Sequence, residues 1–140
     1  MIIALWSAIA FGDTIAWDFE SGPDSFNIET NLQFQWGSFT EFTAPNEECC
    51  GWATRHDSYY LNDASDSLHF PAFTLLSPDR PVLLIEHLYE TEYGIEPDAG
   101  WLEAWHYGEW ISLHPVYGYP TEVGFSGSSD GWRSDAFDLS

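Results

Sequence analysis

Short runs that alternate apolar and polar residues recur along this chain and limit its fold more strongly than any other feature. Residues 15–20 alternate and stop at Ser-Gly-Pro-Asp, and residues 32–36 alternate and stop at Gly37. Alternation puts apolar side chains on one face of a strand, whereas an amphipathic helix needs them three and four residues apart. No long segment has the helical spacing, so we predict an all-β, mostly antiparallel fold.

Residues 82–93 carry the clearest strand pattern. The first half is apolar at odd and even positions, which is typical of a central strand with both faces covered. In the second half, Glu86, Glu90 and Glu92 share one face and form an acidic patch. A glycosidase needs a pair of carboxylates across a cleft. The alternative is a solvated strand end near His87.

The C-terminal part of the chain is expected to contain a hairpin, a loop and a last strand. Residues 101–107 and 109–113 predict a hairpin that turns near Gly108. Residues 115–129 are rich in Gly, Ser, Pro and aromatic residues, which favours a long ordered loop. Residues 132–139 read as a strand. Many short strands with turns between them are typical of a jelly-roll-type β-sandwich.

Aromatic residues are concentrated in that hairpin. Trp101, Trp105 and Tyr107 share one face of its first strand, and Trp110 lies on the second strand. Together these rings could form a flat platform on which sugar rings stack. The alternative is that they pack in the core between two sheets.

The length of 140 residues corresponds to one domain. Residues 1–12 are uncharged and apolar, and they read either as a signal peptide remnant ending near Ala8-Ile9-Ala10 or as the first strand. Residues 13–140 form the predicted domain. The apolar run is too short to cross a bilayer, so we expect no membrane insertion.

The charge is extreme: 3 Lys and Arg against 23 Asp and Glu give a formal net charge of −20. Such a surface repels nucleic acid and anionic membranes, so neither is expected as a partner. It favours divalent cations, above all Ca²⁺, which binds carboxylate oxygens. The alternative is that the charge only solvates the protein.

The only two cysteines, Cys49 and Cys50, are adjacent in a polar loop predicted at about residues 43–51. Neighbouring cysteines form either a small vicinal disulfide or a pair of thiols, and two alone do not make a zinc site. We interpret them as structural. The chain has no His-Glu-x-x-His motif and no Gly-x-Ser-x-Gly motif, so we expect no enzymatic activity.

A series of short motifs, in order, resembles the MAM-like jelly-roll module of bacterial secreted and cell-surface proteins. This is the module of choice-of-anchor J proteins and of immune-inhibitor-A-type metallopeptidases, where it lies beside the catalytic domain. The resemblance covers residues 17–140 and implies a secreted or cell-surface accessory or adhesion role. The motifs are Trp-Asp-Phe-Glu-Ser-Gly (17–22), Gln-Trp-Gly (35–37), Gly-Trp-Ala-Thr (51–54), Tyr-Gly-Glu-Trp-Ile-Ser-Leu (107–113), Pro-Val-Tyr-Gly-Tyr-Pro (115–120), Gly-Phe-Ser-Gly-Ser-Ser-Asp-Gly-Trp (124–132) and Phe-Asp-Leu-Ser (137–140).

The chain departs from that family in two places. Members usually continue for about two strands beyond the Phe-Asp-Leu-Ser segment, so a C-terminally truncated module and strand-swapped association with a partner are expected. Members often have an Asp-Gly-Gly turn where residues 106–108 here read His-Tyr-Gly.

The resemblance also implies structural cation sites. The positions that match them here are Asp18, Glu20 and Asp138. Ca²⁺ takes six to eight oxygen ligands, which carboxylates and loop carbonyls can supply. The alternative is an acidic, solvated strand face.

The sequence therefore predicts a non-catalytic extracellular recognition, adhesion or accessory module, stabilised by calcium, whose partner is an extracellular protein or a glycan. The first alternative is a carbohydrate-binding module that uses the aromatic platform. The second is a glycan-active hydrolase that uses the acidic patch.

Overall fold

The computed structural model describes residues 2–10, 15–28, 33–39, 49–56, 65–73, 80–92 and 97–140. In this part of the chain every regular element is a strand, and every strand pair is antiparallel, which confirms the predicted all-β class. The strands are β1 (Ile2–Ala10), β2 (Ile15–Trp17), β3 (Asn27–Ile28), β4 (Phe34–Ser38), β5 (Cys50–Thr54), β6 (Leu68–His69), β7 (Val82–Glu90), β8 (Leu102–His106), β9 (Glu109–Leu113) and β10 (Arg133–Asp138).

Most strands belong to one six-stranded sheet. Its order is β10-β7-β1-β5-β4, and β2 also pairs with β1. Since β7 runs along one edge of β1, strands β5 and β2 share the other edge, with β5 near the start of β1 and β2 near its end. The apolar run at residues 1–12 therefore contains a central strand of the sheet.

Strand β7 has one buried face and one half-buried face, whereas the sequence predicts that both faces of its first half are covered. The odd positions from Leu83 to Tyr89 are buried, the even positions from Val82 to Leu88 are half-buried, and Glu90 is exposed. β7 lies between β10 and β1, which agrees with the pattern expected of a central strand. The sequence suggested that His87 lies near a solvated strand end, and this is wrong. His87 is 3% exposed, because it lies at an odd position of β7, on the buried face of the strand.

The buried core is rich in aromatic rings. Trp17 and Phe26 meet edge to face at 5.6 Å, and Phe19 packs on Phe26 at 4.9 Å. Burying one large apolar side chain contributes about 1.5–3 kcal/mol to folding. The cluster consists of Trp17, Phe19, Phe26, Trp52, Leu83, Ile85, Tyr89, Phe125 and Phe137.

Three predicted boundaries change in the structure. The strand expected at 15–20 ends at Trp17, and Phe19 has a φ of 60°, which extended backbone does not adopt. The loop expected at about 43–51 is shorter, because Cys50–Thr54 is a fully buried strand; residues 43–48 lie outside the described part. The strand expected at 82–93 ends at Glu90.

The sheets beyond the main one are small. Strands β3 and β6 form one two-stranded sheet, and β8 and β9 form another. Neither these two sheets nor the six-stranded sheet closes on itself. The structure therefore supports an antiparallel all-β fold, and the jelly roll stays a prediction. Among the described residues, no helix has the length and apolar character required to span a bilayer.

Candidate functional site

Exposed large apolar side chains are concentrated in one stretch of the chain. Of the nine found among the described residues, eight lie between residues 101 and 123, in the β8–β9 hairpin and the loop after it. Exposed apolar side chains that lie together often mark an interaction site, and Trp105 and Trp110 lie together here. The eight residues are Trp101, Trp105, Tyr107, Trp110, Ile111, Val116, Tyr117 and Val123.

The hairpin turns through two residues, as the sequence predicted near Gly108. His106 pairs with Glu109, which leaves Tyr107 and Gly108 in the turn with φ angles of 47° and 97°. Positive φ at both central positions is typical of a type I′ turn, whose twist matches that of the strands it joins. The Tyr107 side chain stands at the tip and is 97% exposed.

Trp105 and Trp110 form the centre of the site. They face each other across the hairpin, and their ring centroids lie 5.3 Å apart. The side chains are 60% and 51% exposed, so they do not pack in the core between two sheets. The rings meet at 67°, edge to face, which corrects the flat platform expected from the sequence to an angled pair.

The base of the hairpin is tied to the core. The Tyr119 hydroxyl accepts a hydrogen bond from the Leu102 N–H at 3.0 Å and donates one to the Leu113 carbonyl at 2.6 Å. Leu102 and Leu113 pack against the core cluster. Burial raises the pKa of Tyr119 above its usual value, so the hydroxyl keeps the proton that it donates. The exposed rings therefore stand on an anchored support.

A second contact links the hairpin to strand β6. The imidazole of His69 meets the Trp110 ring edge to face, with centroids 5.9 Å apart. Trp110 is therefore in contact with two rings, those of Trp105 and His69, while about half of it stays in solvent. This arrangement limits the rotamers that its indole can adopt.

The formally charged side chains of the hairpin and of the loop after it, residues 101–123, are all acidic. Glu103, Glu109 and Glu122 are exposed in this stretch, and no Lys or Arg occurs from residue 81 to residue 132. Such a surface is attractive to neutral or cationic groups and repels anionic ones.

The three glutamates of the acidic patch do not converge. Glu86 is half-buried and accepts a hydrogen bond from the Ser134 hydroxyl at 3.1 Å. Glu90 is exposed at the end of β7, and Glu92 is exposed beyond it. Their carboxylate oxygens do not form a group within 4.8 Å of one another.

The three carboxylates predicted to bind calcium are also not brought together as a ligand group. Each accepts backbone hydrogen bonds instead. Asp18 accepts from the Glu20 N–H at 3.1 Å, and Asp138 accepts from the Ser140 N–H at 3.0 Å. Glu20 accepts from the N–H groups of Cys49 and Cys50 at 3.1–3.2 Å.

The adjacent cysteines form a vicinal disulfide, one of the two states left open by the sequence. Cys49 is exposed and Cys50 is buried at the start of β5. Among the described residues, Glu20, Cys49 and Cys50 are the one group of at least three His, Cys, Asp or Glu side chains whose ligand atoms lie within 4.8 Å of one another.

A buried ionic group lies between β7 and β10, and the sequence analysis missed it. His87 Nε2–H donates to Asp135 Oδ2 at 2.7 Å. Arg133 donates to both oxygens of the same carboxylate, at 2.6 and 2.7 Å. The alternation along the two strands could have indicated these buried positions. His87 shares its face with Ile85 and Tyr89, and Asp135 shares its face with Phe137.

The pKa values in this group favour a neutral histidine beside an ion pair. Burial lowers the pKa of His87, and this outweighs the hydrogen bond and charge of Asp135. Burial would raise the pKa of Asp135, but hydrogen bonds from Arg133 and His87 outweigh it and hold that pKa below its usual value. The hydrogen bond to Asp135 raises the pKa of Arg133.

The chain matches no family model, and no curated protein or solved structure is similar to it. The resemblance to a MAM-like module therefore stays a prediction.

Proposed function

We propose that this protein is a non-catalytic recognition module of the jelly-roll type, secreted or displayed at a cell surface, that binds an extracellular protein through the β8–β9 hairpin. The observation that carries the proposal is the exposed Trp105–Trp110 pair on an anchored hairpin. The sequence resemblance implies the secreted location and the jelly-roll fold, and we propose that both hold for this chain.

Keeping indole rings in contact with water is unfavourable in free energy. Two tryptophans that are 60% and 51% exposed keep a large apolar area in contact with water. Covering that area with a ligand contributes about 25 cal/mol of favourable free energy for each Å² of apolar surface removed from water. Tryptophan and tyrosine are also the residues that most often dominate binding energy at protein interfaces.

The anchoring of the hairpin adds to this argument. Ordering a loop or a side chain on binding costs about 0.5–1.5 kcal/mol per immobilised side chain. Here Tyr119 fixes the base of the hairpin, and His69 and Trp105 both contact the ring of Trp110. Much of that ordering has therefore already occurred in the free protein.

The charge of the surface defines the ligand further. Glutamates occur in the same stretch of chain as the aromatic residues, and Lys and Arg are missing from residues 81–132. A protein ligand with exposed Lys or Arg near apolar residues would complement both features, because cations are attracted to carboxylates and to indole faces.

A carbohydrate is the second candidate ligand, and the exposure of the two indole rings favours it. Sugar rings stack on exposed aromatic faces. The 67° angle between Trp105 and Trp110 allows one face to receive a sugar ring while the second ring borders it. Neutral or amino sugars fit the negative surface better than uronic acids.

The test compares two faces of one hairpin. The wild-type chain and single variants are applied to arrayed extracellular proteins and to arrayed oligosaccharides, and affinities are measured by biolayer interferometry for each ligand found. We expect Trp105→Ala and Trp110→Ala to weaken binding at least tenfold, which is about 1.4 kcal/mol. Ile111→Ala removes a partly exposed apolar side chain from the opposite face of β9 and should change affinity less than about twofold.

The class of ligand separates the two candidates. A protein ligand whose binding requires Trp105 and Trp110 supports the proposal, and an oligosaccharide with the same requirement supports the second candidate. Binding that Ile111→Ala weakens as much as Trp105→Ala would contradict both, because the face of the hairpin would then not matter.

A further inference from the structure

Away from the hairpin, the structure brings three metal-ligating side chains to one place. The carboxylate of Glu20 and the sulfurs of Cys49 and Cys50 lie within 4.8 Å of one another. The residues are 29 and 30 positions apart in sequence, so the fold and not local sequence assembles the group. In the oxidised chain the two sulfurs are bonded to each other.

The backbone around the cysteines is held on two sides. Glu20 accepts hydrogen bonds from the N–H groups of Cys49 and Cys50. On the other side, the Cys49 carbonyl accepts a hydrogen bond from the Phe39 N–H at 3.0 Å, and Cys50 pairs with Ser38 of β4. These bonds do not involve the sulfur atoms. They therefore remain available after the disulfide is reduced.

Access to the group comes from the Cys49 side. Cys49 is exposed and Glu20 is half-buried, whereas Cys50 is 6% exposed. The Ser38 hydroxyl lies 3.7 Å from the Cys50 sulfur and adds a polar neighbour. A reductant or an ion can thus reach one sulfur from solvent, while the other is held in the sheet.

Reduction changes what the group can bind. A dithiol reductant supplies two electrons and two protons: the S–S bond breaks, Cys49 and Cys50 become thiols, and the reductant forms its own disulfide. Thiolates are strong ligands for soft cations, and each thiol loses its proton when a metal binds. A carboxylate has about four lone-pair sites, so Glu20 can ligate while it accepts the two N–H groups.

We propose that the reduced Cys49–Cys50 pair and Glu20 bind one thiophilic divalent cation of the Zn²⁺ class, and that the vicinal disulfide closes this site in the oxidised chain. Two sulfurs and one carboxylate oxygen provide three ligands of a tetrahedral site, with the fourth position open to water. Two thiolates and one carboxylate carry three negative charges, and the net charge of −20 adds a field that attracts cations. This proposal is independent of ligand binding at the hairpin.

The experiment uses the full chain with Cd²⁺ as the probe, because sulfur-to-cadmium charge transfer absorbs in the ultraviolet. The chain is reduced with a phosphine, freed of reductant without oxygen, and titrated with Cd²⁺; native mass spectrometry counts the bound ions. Any sulfur-to-metal signal must come from residues 49 and 50, since the chain has no other cysteine. We expect one Cd²⁺ per reduced chain, displacement of it by Zn²⁺, and no charge-transfer band for the oxidised chain.

Variants test each ligand separately. Cys49→Ser leaves one sulfur ligand and should lower the charge-transfer absorbance of the complex and weaken Cd²⁺ binding, and Glu20→Gln should weaken Cd²⁺ binding about tenfold or more. Asp18→Asn is the matched control: it removes an exposed carboxylate two residues from Glu20 that is not part of the group. It should leave the affinity within about twofold.

Three outcomes would overturn the proposal. The first is a reduced wild-type chain that gives no charge-transfer band, and the second is Asp18→Asn weakening binding as much as Glu20→Gln. The third concerns folding, which is followed by near-ultraviolet circular dichroism. If the reduced chain loses its tertiary signal and Cd²⁺ does not restore it, the fold does not assemble the site.

Discussion

His87 and Asp135 are the residues whose chemistry depends most on their surroundings. Both are buried, at 3% and 4% exposed, and Arg133 compensates the charge of the carboxylate through two hydrogen bonds. With that charge already paired, burial dominates at the imidazole and lowers the pKa of His87. An ion pair with its hydrogen bonds satisfied is tolerated in a core, whereas an added imidazolium charge is costly.

The stability of the protein should therefore depend on pH through His87. In the unfolded chain the imidazole titrates near 6.5, and in the folded chain its pKa is lower. As the pH falls below 6.5, the unfolded state binds a proton that the folded state does not, so the free energy of unfolding decreases. The slope for this one proton is at most about 1.4 kcal/mol per pH unit.

A comparison with His87→Gln isolates this effect from the other titrating groups. Glutamine can still donate to Asp135, but it does not titrate. The free energy of unfolding, measured by chemical denaturation, should decrease more for the wild type than for His87→Gln between pH 7 and pH 5. A wild type that loses no more stability than the variant over this range would show that His87 is charged in the folded protein.

A second loss of stability is expected in stronger acid. The folded pKa of Asp135 lies below its unfolded value of 3.8, so its contribution is present above pH 3.8 and is lost as the pH falls through the folded value. Both residues make the protein less stable as the pH falls: the loss from His87 begins below about pH 6.5, and the loss from Asp135 begins below about pH 3.8.

Among the structural elements, the connection after the hairpin depends on one close backbone approach. Gly100 and Phe125 exchange two backbone hydrogen bonds, at 3.0 and 2.8 Å. A Cβ at the neighbouring Gly124 would lie 2.5 Å from the Gly100 carbonyl oxygen. Gly124 also has a φ of +124°, which side chains with a Cβ rarely adopt.

Replacing Gly124 should separate these two effects when a second glycine serves as control. Gly131 has a similar φ of +118°, but an added Cβ there meets nothing within 4 Å. Gly131→Ala therefore reports the dihedral cost, about 1–3 kcal/mol, and Gly124→Ala reports that cost plus the clash. We expect Gly124→Ala to lower the free energy of unfolding by at least about 1 kcal/mol more than Gly131→Ala. Equal losses would mean that the backbone shifts to relieve the contact.

The hairpin shows how far an element can be predicted from local pattern. Its two strands and its turn near Gly108 follow from alternation and from the glycine, and the structure confirms them. The exposure of Trp105 and Trp110 does not follow. Alternation shows that these residues share a face, but whether that face meets the core or the solvent depends on what the rest of the chain packs against it.

For the whole molecule, the net charge of −20 is the dominant property. Self-repulsion of this size destabilises the compact state, and salt screens it over about 8–10 Å at physiological ionic strength. We expect the melting temperature to rise as NaCl is increased from about 10 mM to about 300 mM, by roughly 2–8 °C for each kcal/mol of stability regained.

A comparison of Ca²⁺ with Mg²⁺ tests the calcium site predicted from the sequence. Because Asp18, Glu20 and Asp138 do not form one ligand group, we expect both ions to raise the melting temperature equally at matched ionic strength. A larger rise with Ca²⁺ than with Mg²⁺ would contradict this and would indicate a specific calcium site, since a ligand of the folded state stabilises it by mass action.

The all-β class, the central place of β7 and the position of the hairpin were available from the sequence, because each depends on residues that are close along the chain. The pairing of His87 with Asp135, 48 residues away, and of Glu20 with the cysteines was not. Those contacts depend on which strands become neighbours and in which register. Alternation has the same period in every strand, so it does not encode the partner of a strand, and packing selects that partner.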